Sequence, residues 1–208
     1  MNLAETIASD LLEIGAVTLS PNEPFTWASG LKSPIYCDNR LTISYPIIRT
    51  RIAKGIADII REKYPETEVI AGTATAGIPH AAWIADELKL PLIYVRTKPK
   101  DHGTGQQIEG RLIKDQKVVL IDDLISTGGS VIQAVKAARN EGADVLGVVG
   151  IFSYELESSI TNFAEINTKF DTLTNYSTLI KVAKEQDKIN ATEKILLEKW
   201  RVNPNNWQ

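Results

Sequence analysis

VVLIDDLISTGGS, residues 118–130, runs from an uninterrupted apolar stretch through two adjacent acids into a turn of hydroxylated residues and glycines. The apolar part reads as a strand covered on both faces, since a half-exposed strand would alternate apolar with polar positions. Asp122 and Asp123 follow at its carboxyl end, which is where ligands bind in an open α/β sheet. Beyond them, Ser126, Thr127, Gly128, Gly129 and Ser130 lead into a helix. Backbone N–H groups and hydroxyls at the positive end of that helix form a phosphate cradle, and the glycines let backbone approach the anion closely. Two carboxylates beside a phosphate site restrict the ligand. A sugar phosphate whose diol faces the acids fits, with a hard cation such as Mg²⁺ bridging the remaining charge. The plainer alternative is a strand-end acid pair that merely caps a helix.

Working outward, the pattern repeats. Residues 68–71, 91–95, 117–121 and 145–152 read as strands, with 78–88 and 127–140 as helices between them. Such alternation implies a mostly parallel sheet built from right-handed crossovers and covered by helices on both faces. Leu3, Ile7, Leu11 and Ile14 fall at helical spacing and stop at Gly15. Pro46 opens a second periodic run through Ile47, Ile48, Ile52, Ile56, Ile59 and Ile60, at a position where a first helical turn tolerates a missing N–H. Between these helices, Pro21, Pro24, Gly30 and Pro34 interrupt a segment carrying Phe25, Trp27, Ile35 and Tyr36, as in short strands and turns that cap a site. From Ser177 onward the chain reads as two short helices. The expectation is therefore one α/β domain: an N-terminal helix and hood over about 1–45, a core over about 46–170 and a helical tail over about 171–208. A length of 208 residues suits one substantial core.

Composition sets the class without choosing the function. Hydrophobic residues make up 43% and charged residues 24%, ordinary values for a globular protein. A net charge of -3 and a pI near 5.5 argue against a nucleic-acid partner, which would need a basic face. Glu5, Asp10 and Glu13 in the first helix, with no basic and apolar leader, imply a cytoplasmic protein without a membrane anchor. Cys37 is the single cysteine, so no intrachain disulfide or cysteine-rich metal site can form.

Three other segments carry chemistry. In AGTATAGIPHAAW, residues 71–83, Gly72 and Gly77 have the spacing of a nucleotide-binding P-loop, but Ile78 and Pro79 stand where lysine and a hydroxyl would be needed. What remains is an anion loop over Thr73, Ala74, Thr75 and Ala76, or else tight strand-to-helix packing. YVRTKPKDHGTGQQIEG, residues 94–110, gathers Arg96, Lys98, Lys100 and His102 among Gly103, Gly105 and Gly110. It belongs to a polar stretch, 97–114, with no periodicity. That suits a mobile basic lid over a departing anion as well as it suits a solvated loop. FTWASGLKSPIYCDNRL, residues 25–41, brings aromatic residues together with Lys32.

Taken together these segments resemble the type I phosphoribosyltransferases, with 118–130 matching their binding signature for phosphoribosyl pyrophosphate (PRPP), and the wider sequence is similar to the orotate-specific members. The resemblance implies transfer of the 5-phosphoribosyl group from PRPP to orotate, with Mg²⁺ held mainly by PRPP oxygens and water. It would make Asp122 and Asp123 partners of the ribose 2′ and 3′ hydroxyls, with Leu124 and Ile125 in the same PRPP-binding stretch. Ser126 through Ser130 would hold the 5′-phosphate and Thr73 through Ala76 the pyrophosphate. Arg96, Lys100 and His102 would reach PRPP from a lid serving the neighbouring subunit of a homodimer, with Lys100, His102 and Asp123 catalytic. Lys32, Tyr36 and Ser126 would border orotate. Many members carry an arginine shortly after the strand at 145–152; here the stretch reads FSYELESS. Contact with the base carboxylate is therefore expected from Ser126, Lys32 and hood backbone. A different base, or a PRPP-sensing regulator without turnover, shares the same PRPP motif.

Overall fold

The computed structural model describes residues 1–27, 30–98 and 107–207. Helix α1 (Leu3–Glu13) begins at Asn2, whose side chain accepts from the Glu5 N–H while the Glu5 carboxylate accepts from the Asn2 N–H. This reciprocal cap satisfies two otherwise orphaned donors. Strand β1 (Val17–Leu19) pairs antiparallel with β4 (Ile35–Cys37), and β2 (Phe25–Thr26) with β3 (Lys32–Ser33). These two small ribbons are the expected hood. A short 3₁₀ turn at Asn39–Ser44 leads into α2 (Pro46–Lys63), with proline in its first turn.

The core then runs β5 (Val69–Thr73), α3 (Gly77–Leu88), β6 (Leu92–Val95), β7 (Ile108–Glu109), β8 (Lys117–Ile125), α4 (Gly129–Asn140), β9 (Asp144–Ser153), α5 (Glu157–Glu165) and β10 (Phe170–Asn175), with the expected alternation of strand and helix joined by three elements, β7, α5 and β10, that the sequence reading lacks. Strand order is β10-β9-β8-β5-β6-β7, with every neighbouring pair parallel except β6 and β7. The mostly parallel α/β sheet read from the sequence is thus present, with β8 and the acid pair near its centre. Helices α6 (Tyr176–Glu185) and α7 (Ala191–Val202) complete the chain.

Three expectations need correction. The strand carrying the acids does not end at Ile121, because β8 stays in register with β9 as far as Ile125 opposite Ser153. The helix after it accordingly starts at Gly129 and not at Thr127. The stretch 97–114 is not wholly irregular: Ile108 and Glu109 pair with Val95 and Tyr94. The helical tail begins at Tyr176, since residues 170–175 form the edge strand β10.

Packing puts apolar layers on both sides of the sheet. One contains Ile52, Ile56, Ile84, Val119, Ile121, Val149 and Ile151, with α1 and both C-terminal helices contributing Leu11, Leu179 and Trp200. The other joins Val118, Leu120 and Val148 to Val131 and Val135 of α4. Two glycines set how closely α3 meets the sheet. A Cβ on Gly77 would collide with the Ile121 carbonyl, and one on Gly72 would approach Ile78 Cα at 2.9 Å. The tight strand-to-helix packing considered for these glycines is therefore real, and it brings the start of α3 against β8 just before the acids.

Candidate active site

Asp122 and Asp123 lie within β8, toward its carboxyl end, beside two strand-to-helix turns. On one side β5 ends at Thr73 and the turn over Ala74, Thr75 and Ala76 enters α3; the Ala74 N–H donates to Val95 O at 2.9 Å. The Ala74–Thr75 peptide is cis. On the other side Ser126 and Thr127 lead to Gly128, which caps α4 with φ 81°. That left-handed backbone, and a Phe163 ring 2.6 Å from where a Cβ would sit, make glycine the residue that fits. A depression of about 340 Å³ runs between the turns, lined by Ala74, Thr75, Ala76, Asp122, Asp123, Leu124 and Ser130. Ile125 is buried in the apolar layer under α4.

Burial dominates the electrostatics of the acid pair. Asp122 is 7% exposed, and its carboxylate accepts from the Asp123 N–H at 3.0 Å. Loss of water, and then the neighbouring Asp123 charge, hold Asp122 well above the usual carboxylate range. Asp123 is raised as well, chiefly by burial, with Arg40 pulling the other way. A group whose folded pKa is raised contributes stability below its unfolded pKa and loses it as pH climbs through the folded value. Asp122→Asn should therefore melt higher than the parent protein at pH 8, with the gap closing toward pH 4. Equal melting curves at both pH values would remove the burial argument.

The hood supplies residues the sequence reading did not place at the site. Cys37, Asp38 and Arg40 line the same depression. Arg40 Nε donates to Asp38 Oδ1 at 2.6 Å, and the pair lowers the Asp38 carboxyl. Asn39 is fully buried and its amide donates to the Asp123 carbonyl at 2.5 Å, while Cys37 Sγ donates to Asn39 Oδ1 at 3.3 Å. Cys37 is thus a small buried residue, its thiol pushed up by burial and then by Asp123. The Asp38–Arg40 spacing, a side chain capping its own following turn, was the available signal. The Asn39 contact spans 84 positions and left none.

The remaining expected site residues divide. Thr73 is buried, and its Oγ1 has no hydrogen-bond partner among the described residues. Arg96, Thr73, Ala74 and Ser130 border a second depression of about 170 Å³, so Arg96, the first cation of the expected lid, lies next to the Thr73–Ala76 turn. There the Arg96 N–H donates to Gln107 O at 2.8 Å. Lys100 and His102 lie outside the described residues. Tyr36 is half exposed and its ring lies 5.8 Å from Phe25. Lys32 is not brought to the acid pair: its ammonium donates to Thr26 Oγ1 at 2.7 Å, and it borders a different cavity with Pro204–Asn206 and Trp207. Ser126 and Thr127 face a third cavity with Trp27, on the hood side. Among the described residues no cluster of three or more His, Cys, Asp or Glu could hold a metal.

A mostly parallel sheet with an acid pair near the carboxyl end of a central strand, flanked by two strand-to-helix turns, has the architecture of a type I phosphoribosyltransferase. The model for the phosphoribosyl transferase domain matches residues 44–157. An orotate phosphoribosyltransferase of Enterococcus faecalis is 61% identical over 205 residues, 99% of this chain and 98% of its own. One from Streptococcus mutans is 62% identical over the full length of both. Among solved structures, the UMP synthase of Leishmania donovani superposes with a TM-score of 0.80 at 27% identity, over 96% of this chain and 43% of that one. The chain belongs to the orotate phosphoribosyltransferase family.

Proposed function

We propose that this chain transfers the 5-phosphoribosyl group of PRPP to N1 of orotate, giving orotidine 5′-monophosphate and pyrophosphate in pyrimidine biosynthesis. The observation that carries the reading is the acid pair of β8 set between two strand-to-helix turns, one for each phosphate end of a single ligand. Ser126 through Ser130 receive the 5′-phosphate at the start of α4, and Thr73 through Ala76 receive the diphosphate, with the Thr73 hydroxyl available as a donor. Asp122 and Asp123 accept from the ribose diol between them, so C1 is held over the depression.

The donor chemistry suits Mg²⁺. Two adjacent carboxylates and no third protein ligand among the described residues fit an octahedral ion that keeps most of its coordination sphere for phosphate oxygens and water. When bound, the ion supplies positive charge to the diphosphate. The protein's own part is to position and to stabilise. Arg96, Lys100 and His102 direct donors at the departing pyrophosphate while positive charge develops at C1, and Asp123 meets the ribose on which that charge grows. In this reading the lid serves the neighbouring subunit of a homodimer, the whole chain acts as one domain, and the setting is cytoplasmic. No described helix is long and apolar enough to cross a membrane.

The test is the fall in orotate absorbance when purified protein meets orotate, PRPP and Mg²⁺, with adenine, hypoxanthine and uracil as competitors. Consumption that requires both PRPP and metal, and that the other bases do not suppress, is the expected result. PRPP binding without orotate consumption would reassign the chain to another base or to a regulatory role. Asp123→Asn should raise the KM for PRPP about tenfold, the scale of a lost charge-assisted hydrogen bond. Its fold should stay intact, and an unchanged KM would remove Asp123 from the diol.

A further inference from the structure

The largest cavity near the site is not the one between the two turns. It measures about 1000 Å³ and lies on the far side of the Ser126–Thr127 turn, bounded by Trp27 and Leu31 of the hood, by the start of α5 and by the end of α7. Arg201, in the last turn of α7, lines it. This residue is partly buried, and among the described residues its guanidinium makes no hydrogen bond and no ion pair, its one recorded charge neighbour being the Tyr176 hydroxyl. Glu157 lines the same cavity and is exposed, and among the described residues no ion pair joins it to Arg201. A cation in the last turn of a helix complements the helix dipole, which accounts for the charge at that helix end but not for its facing a cavity without a counter-ion.

The wall around Arg201 is fixed. Its neighbour Trp200 is fully buried, and the indole N–H donates to Lys32 O at 2.9 Å, tying α7 to the hood. The Trp200 ring lies 5.7 Å from that of Trp27. On the opposite side the Asn162 amide donates to Thr127 O at 2.9 Å, tying α5 to the turn after the acid strand. The cavity thus offers one flat aromatic wall, hydroxyl groups at Ser126, Thr127 and Thr161, and one unneutralised guanidinium. Those are the complements of a planar heterocycle that carries a carboxylate.

We infer that Arg201, from the C-terminal helix, pairs with the carboxylate of the pyrimidine base and selects orotate over uncharged bases. The inference rests on the proposed reaction. With ribose held at Asp122 and Asp123 and its 5′-phosphate at Ser126 through Ser130, the base occupies the hood side of the turn, against Trp27. The guanidinium fork then meets the carboxylate through two parallel N–H bonds, a geometry that an ammonium cannot reproduce.

The experiment uses the full chain with Arg201→Gln and Arg201→Lys, varying orotate at saturating PRPP and Mg²⁺ and then PRPP at saturating orotate. The expected result is a KM for orotate raised about tenfold to a hundredfold in Arg201→Gln, with the KM for PRPP within about twofold and the melting temperature unchanged. Arg201→Lys should keep the fold and raise the orotate KM by a smaller factor, which carries the test should the glutamine variant fold poorly. An unchanged orotate KM in an active protein would overturn the inference, as would an equal rise for PRPP, which would assign the guanidinium to the 5′-phosphate. Failure of the parent protein to consume orotate at all is a separate result, and it removes the proposed reaction together with this reading of Arg201.

Discussion

Lys100→Ala should cut turnover about a hundredfold to a thousandfold while PRPP still binds, the loss expected when one preorganised donor is removed from developing charge. Ground-state PRPP already has its 5′-phosphate, ribose and diphosphate held by Ser126 through Ser130, the acid pair and Thr73 through Ala76 in the proposed reading. A lid lysine adds most where negative charge grows on departing pyrophosphate, so the deficit should fall on kcat and leave the PRPP KM nearly unchanged. The described base of the lid is consistent with that placement. Arg96 and Gln107 exchange two hydrogen bonds, at 2.8 and 3.2 Å, beside the depression that holds Thr73 and Ser130. Near-normal turnover would remove Lys100 from the reaction. A matched rise in PRPP KM would make it a binding residue only.

The core was legible where strand and helix signals were long and unmixed. VVLI and VLGVVGIF announce buried parallel strands because both their faces are covered, and β8 and β9 are indeed the central pair. What escaped notice was polar or brief. Strand β10, FDTLTN, lies at the edge of the sheet with a single strand neighbour, so only Leu173 and Thr174 are buried and no apolar run marks it. Helix α5 buries only Ser159 and Phe163, too few apolar positions to show a period. Strand β7 is two residues long. The acid strand was cut short for a related reason. Asp122 and Asp123 look like a strand end in one dimension, whereas pairing with β9 carries the ladder three residues beyond Asp122.

Site residues followed the same division. The acid pair and the Ser126–Ser130 turn are contiguous in sequence, and the Thr73–Ala76 turn is a short run of its own, so the chemistry of each could be read from adjacent residues. The hood could be recognised as a hood, but not which of its side chains faces what. Lys32 looked like the cation nearest the base, yet its ammonium is engaged by Thr26 on its own ribbon. Its backbone matters more than its charge, since Lys32 O receives the Trp200 indole. Arg201 and Trp200 stand about 170 positions from the hood they meet, a closeness that periodicity and motif spacing cannot express. The tail, which carried no chemistry as sequence, closes one wall of the cavity beside the Ser126–Thr127 turn.

That closure can be measured. Trp200→Ala should destabilise the protein by about 3–5 kcal/mol, the usual cost of removing a large buried aromatic side chain. Trp200 is 0% exposed and contacts three further aromatic rings: Trp27 at 5.7 Å, Tyr176 at 5.6 Å and Tyr154 at 6.0 Å. Truncation would leave a cavity among them and strip the Lys32 carbonyl of its indole donor, so packing and hydrogen-bond losses add at one position. Trp200→Phe keeps most of the packing and loses the N–H, and it should fall well short of that cost. Urea unfolding of the two variants separates these contributions. Because the Trp200 indole ties the last turn of α7, which carries Arg201, to the hood, the alanine variant should also raise the KM for orotate more than that for PRPP, whereas a tail that merely decorates the surface would unfold with the parent midpoint and leave both KM values alone.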